Sequence, residues 1–202
     1  KRGHSAECVY SSSRLIKEYG FILGIQLMIG LPGDTCELDL YSARETVTIS
    51  PSIARLYPTV VIPDTELHKM FLQGRYCPMQ QEDAIIRTAA MYRILDSAGI
   101  NIIRVGLKSS DIINGKNMQA GTFHPAFRQL VEGKIAQEDL DIQLRGCNPN
   151  ASVCCVSHPD SFNNMIGHKA VNKKYFSSAY PDLRISYKAD GNMRKGTYSI
   201  KF

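Results

Sequence analysis

The chain has 202 residues, a formal net charge of +5, 44% hydrophobic residues and 21% charged residues, the composition of a globular protein with one or two domains. It contains no apolar run near the roughly 20 residues of a membrane span and no opening signal peptide, so nothing indicates a membrane protein. Six cysteines, none at CxxC spacing, predict reduced thiols in a cytoplasmic protein and no metal site.

The first part of the chain predicts a helix, a strand and a second helix. The helix covers Ser5–Tyr19, the apolar strand covers Phe21–Ile29, and the next helix covers Glu37–Ile49. The strand and the second helix are joined by the glycine- and proline-containing loop Gly30–Thr35. Ligands of α/β sheets and barrels collect at such strand ends, so this loop is the first place to look for a site, although a plain tight turn explains it as well.

The same alternation continues through the middle of the chain. Ile53–Ile62 predicts a second strand, in which Pro58 cannot donate a ladder hydrogen bond and is expected near the carboxyl end. The helices Asp64–Gly74 and Met79–Gly99 follow, and then the strand Asn101–Val105. Strands that alternate with helices indicate βα units on a parallel sheet.

The predicted domain boundary comes after a loop and a further helix. The loop covers Ser109–Thr122, the helix covers His124–Ala136, and a short strand is expected over Leu140–Leu144. The boundary then separates a first domain, 1–146, from a second domain, 147–202.

The second domain predicts the compact order strand, helix, turn, helix, strand, strand. The elements are Ser152–Ser157, Pro159–Ile166, Gly167–Ala170, Val171–Tyr180, Leu183–Lys188 and Thr197–Phe202. A core of about 50 residues is small, so this domain is expected to lean on the one before it.

Positive charge is concentrated in the same region. Residues 151–202 contain eight basic residues and three acidic residues, and the three acidic residues are all aspartates. Residues 1–150 have no net charge. The turn between the two helices offers backbone N–H groups and positive charge to a phosphate, and the candidate nucleic-acid-binding residues are His168, Lys169, Lys173, Lys174 and Arg184. A solvated basic face is the alternative that the residues alone leave open.

No catalytic residue can be chosen from the sequence alone. The five histidines are scattered and none lies at a metal-ligand spacing. No serine, histidine and aspartate order indicates nucleophilic catalysis, and carboxylates such as Glu37, Glu45 and Glu66 do not differ from surface residues.

Several motifs follow one another in order along the chain: Arg2-Gly3-His4, the segments Gly24–Thr35 and Arg55–Leu67, Gly74-Arg75-Tyr76, and Gly121–Arg128. Together they resemble the radical SAM superfamily, in the branch that contains the Elongator catalytic subunit, which modifies the tRNA wobble uridine. Oxygen-independent coproporphyrinogen oxidases share the first half of the pattern. The resemblance covers about 1–135.

The resemblance implies the later half of a partial (β/α)6 barrel and part of a site for S-adenosyl-L-methionine (SAM). Arg2 would hold the SAM carboxylate, Gln26 and Met28 would contact ribose and adenine, and Val60 would offer backbone near the adenine. The CxxxCxxC motif that binds the [4Fe–4S] cluster in this family is not in the sequence. The implied partner is therefore the N-terminal half of the barrel, and the chain alone is expected to bind no cofactor and to be inactive.

The second domain contains Ile166-Gly167-His168-Lys169-Ala170 and, further on, Arg184-Ile185-Ser186. These segments resemble the I-G-x-x-G loop and the I-x-I strand of a KH module, a small α+β fold that clamps nucleic-acid backbone, with Ala170 in place of the second glycine. The fold expected overall is α/β, a half barrel followed by a small KH-like α+β domain.

Three functions follow from these observations. The first is part of a radical SAM enzyme that acts on RNA, with tRNA as the expected partner. The second is a radical SAM oxidoreductase similar to coproporphyrinogen oxidase, acting on a small molecule. The third is a non-catalytic RNA-binding module in which only the basic region matters.

Overall fold

The computed structural model describes residues 3–108 and 118–202. The chain divides into two compact units, Lys1–Phe127 and Arg128–Phe202. This division falls at the start of the helix Phe127–Leu144, which precedes the basic residues of 151–202. The domain boundary at 146/147 stays a prediction. Across the described residues, no helix has the length and apolar character that a membrane crossing requires.

The first unit is built on a parallel sheet of three strands. The first unit as a whole contains five strands among the described residues: β1 (Gly24–Ile29), β2 (Ile53–Pro58), β3 (Val60–Val61), β4 (Asn101–Val105) and β5 (Ala120–Gly121). The sheet has the order β1-β2-β4, and β3 pairs separately with β5 in an antiparallel ladder. The predicted α/β class and its parallel pairing are confirmed.

The helices of the first unit follow the predicted alternation. They are α1 (Ala6–Glu18), α2 (Cys36–Ile49), α3 (Glu66–Leu72) and α4 (Gln81–Ser97). Helices α2 and α4 pack against each other and against the sheet. The covered sheet face supplies core residues such as Ala54, Leu56 and Ile102, each at most 5% exposed.

Two predicted strands are longer than the observed ones. Phe21 and Ile22 are exposed and precede β1, which begins only at Gly24. The predicted strand Ile53–Ile62 is interrupted at Thr59, directly after Pro58. Proline has no N–H to donate, so regular pairing ends there and β3 turns to a different partner strand.

The second unit contains a long helix and a small mixed sheet. Its elements are α5 (Phe127–Leu144), β6 (Ser152–Ser157), α6 (Phe162–Ile166), α7 (Val171–Ala179), β7 (Arg184–Ala189) and β8 (Tyr198–Lys201). Strand β6 is central, parallel to β7 and antiparallel to β8. A single 3₁₀ turn, Pro159–Ser161, replaces the start of the helix predicted over Pro159–Ile166.

The strand predicted over Leu140–Leu144 is wrong, because these residues form the last turns of α5. Leu140 and Leu144 are almost fully buried and lie four residues apart, on one face of the helix. The helix predicted over His124–Ala136 therefore begins three residues later and continues to Leu144.

A buried carboxylate ties α5 to the end of α7. Asp141 Oδ1 accepts hydrogen bonds from the hydroxyls of Tyr175 at 2.9 Å and Tyr180 at 2.7 Å, and Oδ2 accepts one from Arg145. Burial alone would raise the pKa of Asp141, but these three donors outweigh it and lower the pKa. The charged carboxylate therefore fixes the helix pair of the second unit.

Candidate functional site

The side chain of Asp34 fixes the backbone of the loop after β1. Gly30 has φ +82°, a left-handed conformation that favours glycine. Asp34 Oδ2 accepts hydrogen bonds from the N–H groups of Gly30 at 3.1 Å and Leu31 at 3.4 Å, and Oδ1 accepts one from Thr35 at 3.1 Å. Thr35 then caps α2 by accepting from the Leu38 N–H. The carboxylate thus fixes the path from strand to helix.

The same loop is anchored from the segment before α4. The buried hydroxyl of Tyr76 donates a 2.7 Å hydrogen bond to the carbonyl of Gly30. Burial raises the pKa of Tyr76, which keeps the phenol protonated as a donor. The position of the loop is therefore set by two contacts, one within it and one from a distant segment.

Two more charged residues lie beneath the loop. Asp39 on α2 is 2% exposed and accepts a 3.2 Å hydrogen bond from Arg87 on α4. Burial, and then the hydrogen bond and negative charge of Asp34, raise the pKa of Asp39 to about 7, although Arg87 opposes the shift. The sequence prediction missed this pair, since its two members are 48 residues apart and only helix packing joins them.

Two neighbouring clefts open beside the loop. One, of about 380 Å³, is lined by Gly30–Asp34, Arg75–Gln80, Asp83 and Arg87. The other, of about 390 Å³, shares Cys77–Gln80 and adds residues 120–123 from around β5. Both therefore lie against the segment that links α3 to α4, and the first also borders the loop at the carboxyl end of β1.

Two of the predicted SAM-binding residues share one face of the sheet. Gln26 and Met28 alternate with the more buried residues of β1, and their cross-strand partners on β2 are Arg55 and Tyr57. Gln26 is exposed and Met28 is half-buried, and their face is opposite the one that carries the core residues of β2. The structure thus brings these two side chains together.

The third predicted position, Val60, lies in β3 just beyond the carboxyl end of β2. The residue before it, Thr59, is 5% exposed, and its hydroxyl has no hydrogen-bond partner among the described residues. A buried hydroxyl without a partner is uncommon and is satisfied when a ligand supplies a polar atom. Arg2, predicted to bind the SAM carboxylate, lies outside the described residues.

The turn between α6 and α7 has an unusual backbone. Gly167 has φ +80°, and a Cβ there would lie 2.8 Å from the Asn172 nitrogen and 2.9 Å from its Cγ, so only glycine fits. Lys169 and Ala170 also have positive φ, +53° and +60°, which costs energy in residues that carry a Cβ. The buried Asn172 amide donates to the carbonyls of Gly133, Asn164 and Met165 and holds the turn on α5.

Four of the five predicted basic positions lie together at this turn. Lys169 is exposed within it, Lys173 and Lys174 are exposed in the first turn of α7, and His168 is half-buried, with Nδ1 3.4 Å from Gln129 Oε1. Arg184 is exposed at the start of β7, beyond α7, whose nine residues span about 13 Å. The structure thus places Arg184 apart from the other four.

The parts of the chain that the structure describes contain no cluster of metal-binding side chains. No group of three histidine, cysteine, aspartate or glutamate side chains is arranged there to hold a metal ion. The six cysteines are free thiols, and burial raises the pKa of Cys155 to about 12, so that thiol is unreactive.

Comparison with known proteins gives a family match over the middle of the chain. Residues 51–137 match the radical SAM C-terminal domain. This range contains β2, Thr59, Val60 and the segment that lines both clefts.

Curated relatives and a solved structure agree with that match. A tRNA uridine(34) acetyltransferase of Methanocaldococcus infernus is 36% identical over 42% of this chain and 16% of its own length. The Elongator complex protein 3 of Bos taurus is 29% identical over 71% of this chain and 26% of its own length. The chain therefore spans about a quarter, or less, of these relatives.

The solved structure is that of the archaeal Methanocaldococcus infernus Elp3 with an N-terminal deletion. It is 26% identical, with a TM-score of 0.59, over 68% of this chain and 32% of the other. By domain match and fold, this chain is similar to the C-terminal radical SAM part of Elongator-like proteins.

Proposed function

We propose that this chain is part of a radical SAM enzyme that modifies tRNA. The first unit completes the SAM pocket. The basic turn of the second unit, residues His168–Lys174 between α6 and the start of α7, docks the RNA. The observation that carries the proposal is that the radical SAM C-terminal match covers β2 and Val60, and that β2 pairs with β1, which carries Gln26 and Met28. The names of the relatives, which include tRNA uridine(34) acetyltransferase, favour tRNA over a small molecule.

The residues along β1 and just beyond β2 suit SAM. Gln26 supplies an amide for the ribose hydroxyls, Met28 supplies an apolar surface for the adenine, and the backbone of Val60 supplies hydrogen-bonding groups for its edge. The buried hydroxyl of Thr59 adds a group that needs a polar partner. Arg2 would pair with the SAM carboxylate through its planar guanidinium.

When bound, SAM and a [4Fe–4S] cluster supply radical chemistry that no side chain of this chain provides. The chain's own residues bind and orient the cofactor. Tyr76 and Asp34 hold the loop of β1 in place beside it. The chain alone is proposed to be inactive, since it lacks the cysteine motif that holds the cluster in this family.

The basic turn is proposed to act as a KH-like clamp for RNA backbone. Lys169, Lys173 and Lys174 have no ion pair within the described residues, so their charges are available to phosphates. The left-handed backbone at Lys169 and Ala170 stores strain of the kind that is found at binding sites. A cytoplasmic location remains a prediction.

The binding of the 202-residue chain to labelled tRNA and to a coproporphyrin, each measured by fluorescence, tests the substrate class. We expect saturable tRNA binding that weakens steeply as salt rises, because phosphate contacts release counterions. Binding of the porphyrin without tRNA binding would contradict the proposal and favour the small-molecule alternative.

A further inference from the structure

A row of polar side chains crosses the face of the sheet β1-β2-β4 that lies opposite helices α2 and α4, the uncovered face among the described residues. Arg55 lies on the central strand β2, and its cross-strand partners are Gln26 on β1 and Arg104 on β4. Neighbouring strands lie about 4.8 Å apart, so the two arginines are immediate neighbours on one face. All three residues are exposed.

An irregularity in β4 creates this pairing. The register between β2 and β4 shifts after Ala54, so that Arg55 pairs with Arg104 and Ile103 is the extra residue. In an unshifted register, Arg104 would lie opposite Leu56, on the covered face. The bulge instead brings Arg104 to the face of Arg55 and sends Val105, 6% exposed, into the core.

No acidic side chain among the described residues compensates the two positive charges. Within the residues that the structure describes, neither Arg55 nor Arg104 makes a hydrogen bond or an ion pair. Like charges directly opposite each other on a sheet are destabilising. An anion that bridges the pair removes this repulsion and is recognised by both planar guanidinium groups.

Space for a ligand adjoins the row. A cavity of about 220 Å³ is lined by Gly24–Gln26 and Ile53–Arg55. Gly24 contributes no side chain to it, and Gln26, at the end of the row, is also a proposed SAM contact. A bound anion would therefore lie next to the proposed cofactor pocket.

We propose that Arg55 and Arg104 form a phosphate-binding site on the uncovered sheet face, and that it holds a phosphate group of the substrate beside the SAM pocket. A phosphate is favoured because its oxygens satisfy two guanidinium forks at once. With tRNA as substrate, the group is a backbone phosphodiester, and this assignment rests on the proposed function. A free nucleotide is the other source of the same chemistry.

The test uses the 202-residue chain with Arg55→Gln, Arg104→Gln, the double variant, and Arg55→Lys. Arg44→Gln, an exposed arginine on α2, is the matched control for loss of one charge. Calorimetric titration with uridine 5′-monophosphate and anisotropy titration with labelled tRNA form the two arms. Circular dichroism melting establishes that each variant folds.

We expect the double variant to bind at least about tenfold more weakly in the arm that contains the true ligand, since even one charge-assisted contact at full strength is worth roughly a factor of ten. Arg55→Lys retains charge without the fork and is expected to lose part of the affinity. In the tRNA arm, the log–log salt slope should fall by about one. The control should stay within twofold of the wild type.

The outcomes separate this inference from the proposed function. Loss in the tRNA arm supports the site with RNA as its source. Loss in the nucleotide arm alone supports the site but counts against tRNA as the substrate. If tRNA binds and the double variant matches Arg44→Gln in both arms, the inference is overturned while the proposed function stands.

Discussion

Arg87 on α4 donates a hydrogen bond to the buried carboxylate of Asp39 on α2 across 3.2 Å. The pKa of Asp39 is nevertheless raised to about 7, by burial first and then by the neighbouring Asp34. The pair therefore joins the two helices that cover the sheet and also holds a proton beneath the loop of β1. Since Asp34 shapes that loop and contributes to the raised pKa of Asp39, the protonation of Asp39 is linked to the candidate site.

The first prediction concerns pH. Between about pH 4 and 7, the folded state keeps a proton on Asp39 that the unfolded state releases, so the free energy of unfolding falls as pH rises through this window. The slope is at most about 1.4 kcal/mol per pH unit. Asp39→Asn, which cannot ionise, is expected to flatten the slope in urea unfolding measured at several pH values.

Glu37→Gln is the control for that experiment, because Glu37 is an exposed carboxylate in the first turn of the same helix. It should retain the wild-type slope. A slope that is the same in the wild type and in Asp39→Asn would show that another group titrates.

The second prediction concerns the hydroxyl of Thr59. Thr59→Val keeps the side-chain shape and removes a buried group without a partner, so the isolated chain should become more stable by about 1 kcal/mol. Thr88→Val is the matched control: Thr88 is also buried, but its hydroxyl donates to the Ala84 carbonyl at 2.6 Å, and its loss should destabilise by about 1 kcal/mol. Chemical denaturation measures both.

A loss of stability in Thr59→Val equal to that in Thr88→Val would mean that the hydroxyl is satisfied within the chain. The reason to link Thr59 to a ligand would then disappear. A gain in stability on removing a polar group is the expected signature of a position kept for binding.

The third prediction compares the effects of two neighbouring substitutions on the free energy of unfolding. Gly167→Ala forces a Cβ to within 2.8 Å of the Asn172 nitrogen at φ +80°, and should destabilise the chain by more than 1 kcal/mol. Ala170→Gly relieves a left-handed alanine at φ +60° and should stabilise by about 1 kcal/mol. Both changes are measured by urea unfolding, and the same sign for both would contradict the backbone conformation of the turn.

The alternation of helices and strands could be predicted because its signals are local. The apolar runs, the capping residues and the glycine stops lie within a few residues of the elements they define. Pro58 was recognised as a limit to its strand, although the new partner of β3 could not be foreseen. The true extent of α5 was missed because Leu140–Leu144, an alternation of apolar and polar residues, fits a short strand as well as a helix end.

The candidate site could be predicted only in part. The structure places Gln26 and Met28 on one sheet face, and their role as SAM contacts, which the resemblance to a known family implies, stays a prediction. The Asp39–Arg87 pair and the neighbouring arginines Arg55 and Arg104 depend on helix packing and on a strand bulge. Such long-range register leaves no local signal in a single sequence.

Removal of the predicted second domain, 147–202, is a poor test of RNA docking. Asp141 on α5 accepts hydrogen bonds from Tyr175 and Tyr180, and without these two donors its carboxylate would keep only the hydrogen bond from Arg145. Truncation would therefore damage α5 together with the basic turn. Charge variants keep the fold and isolate the effect of the lysines.

The most direct test of the proposed RNA docking is tRNA binding across a salt series by the 202-residue chain and by the triple variant Lys169→Gln, Lys173→Gln, Lys174→Gln. We expect the triple variant to bind more weakly and its log–log salt slope to fall by about two to three, since each phosphate contact contributes roughly 0.7 to 0.9. The control replaces Lys188, Lys195 and Lys201 in the same unit with glutamine and should stay near the wild type. Equal weakening by both triple variants, or a wild-type slope in the first, would contradict docking of RNA at the turn.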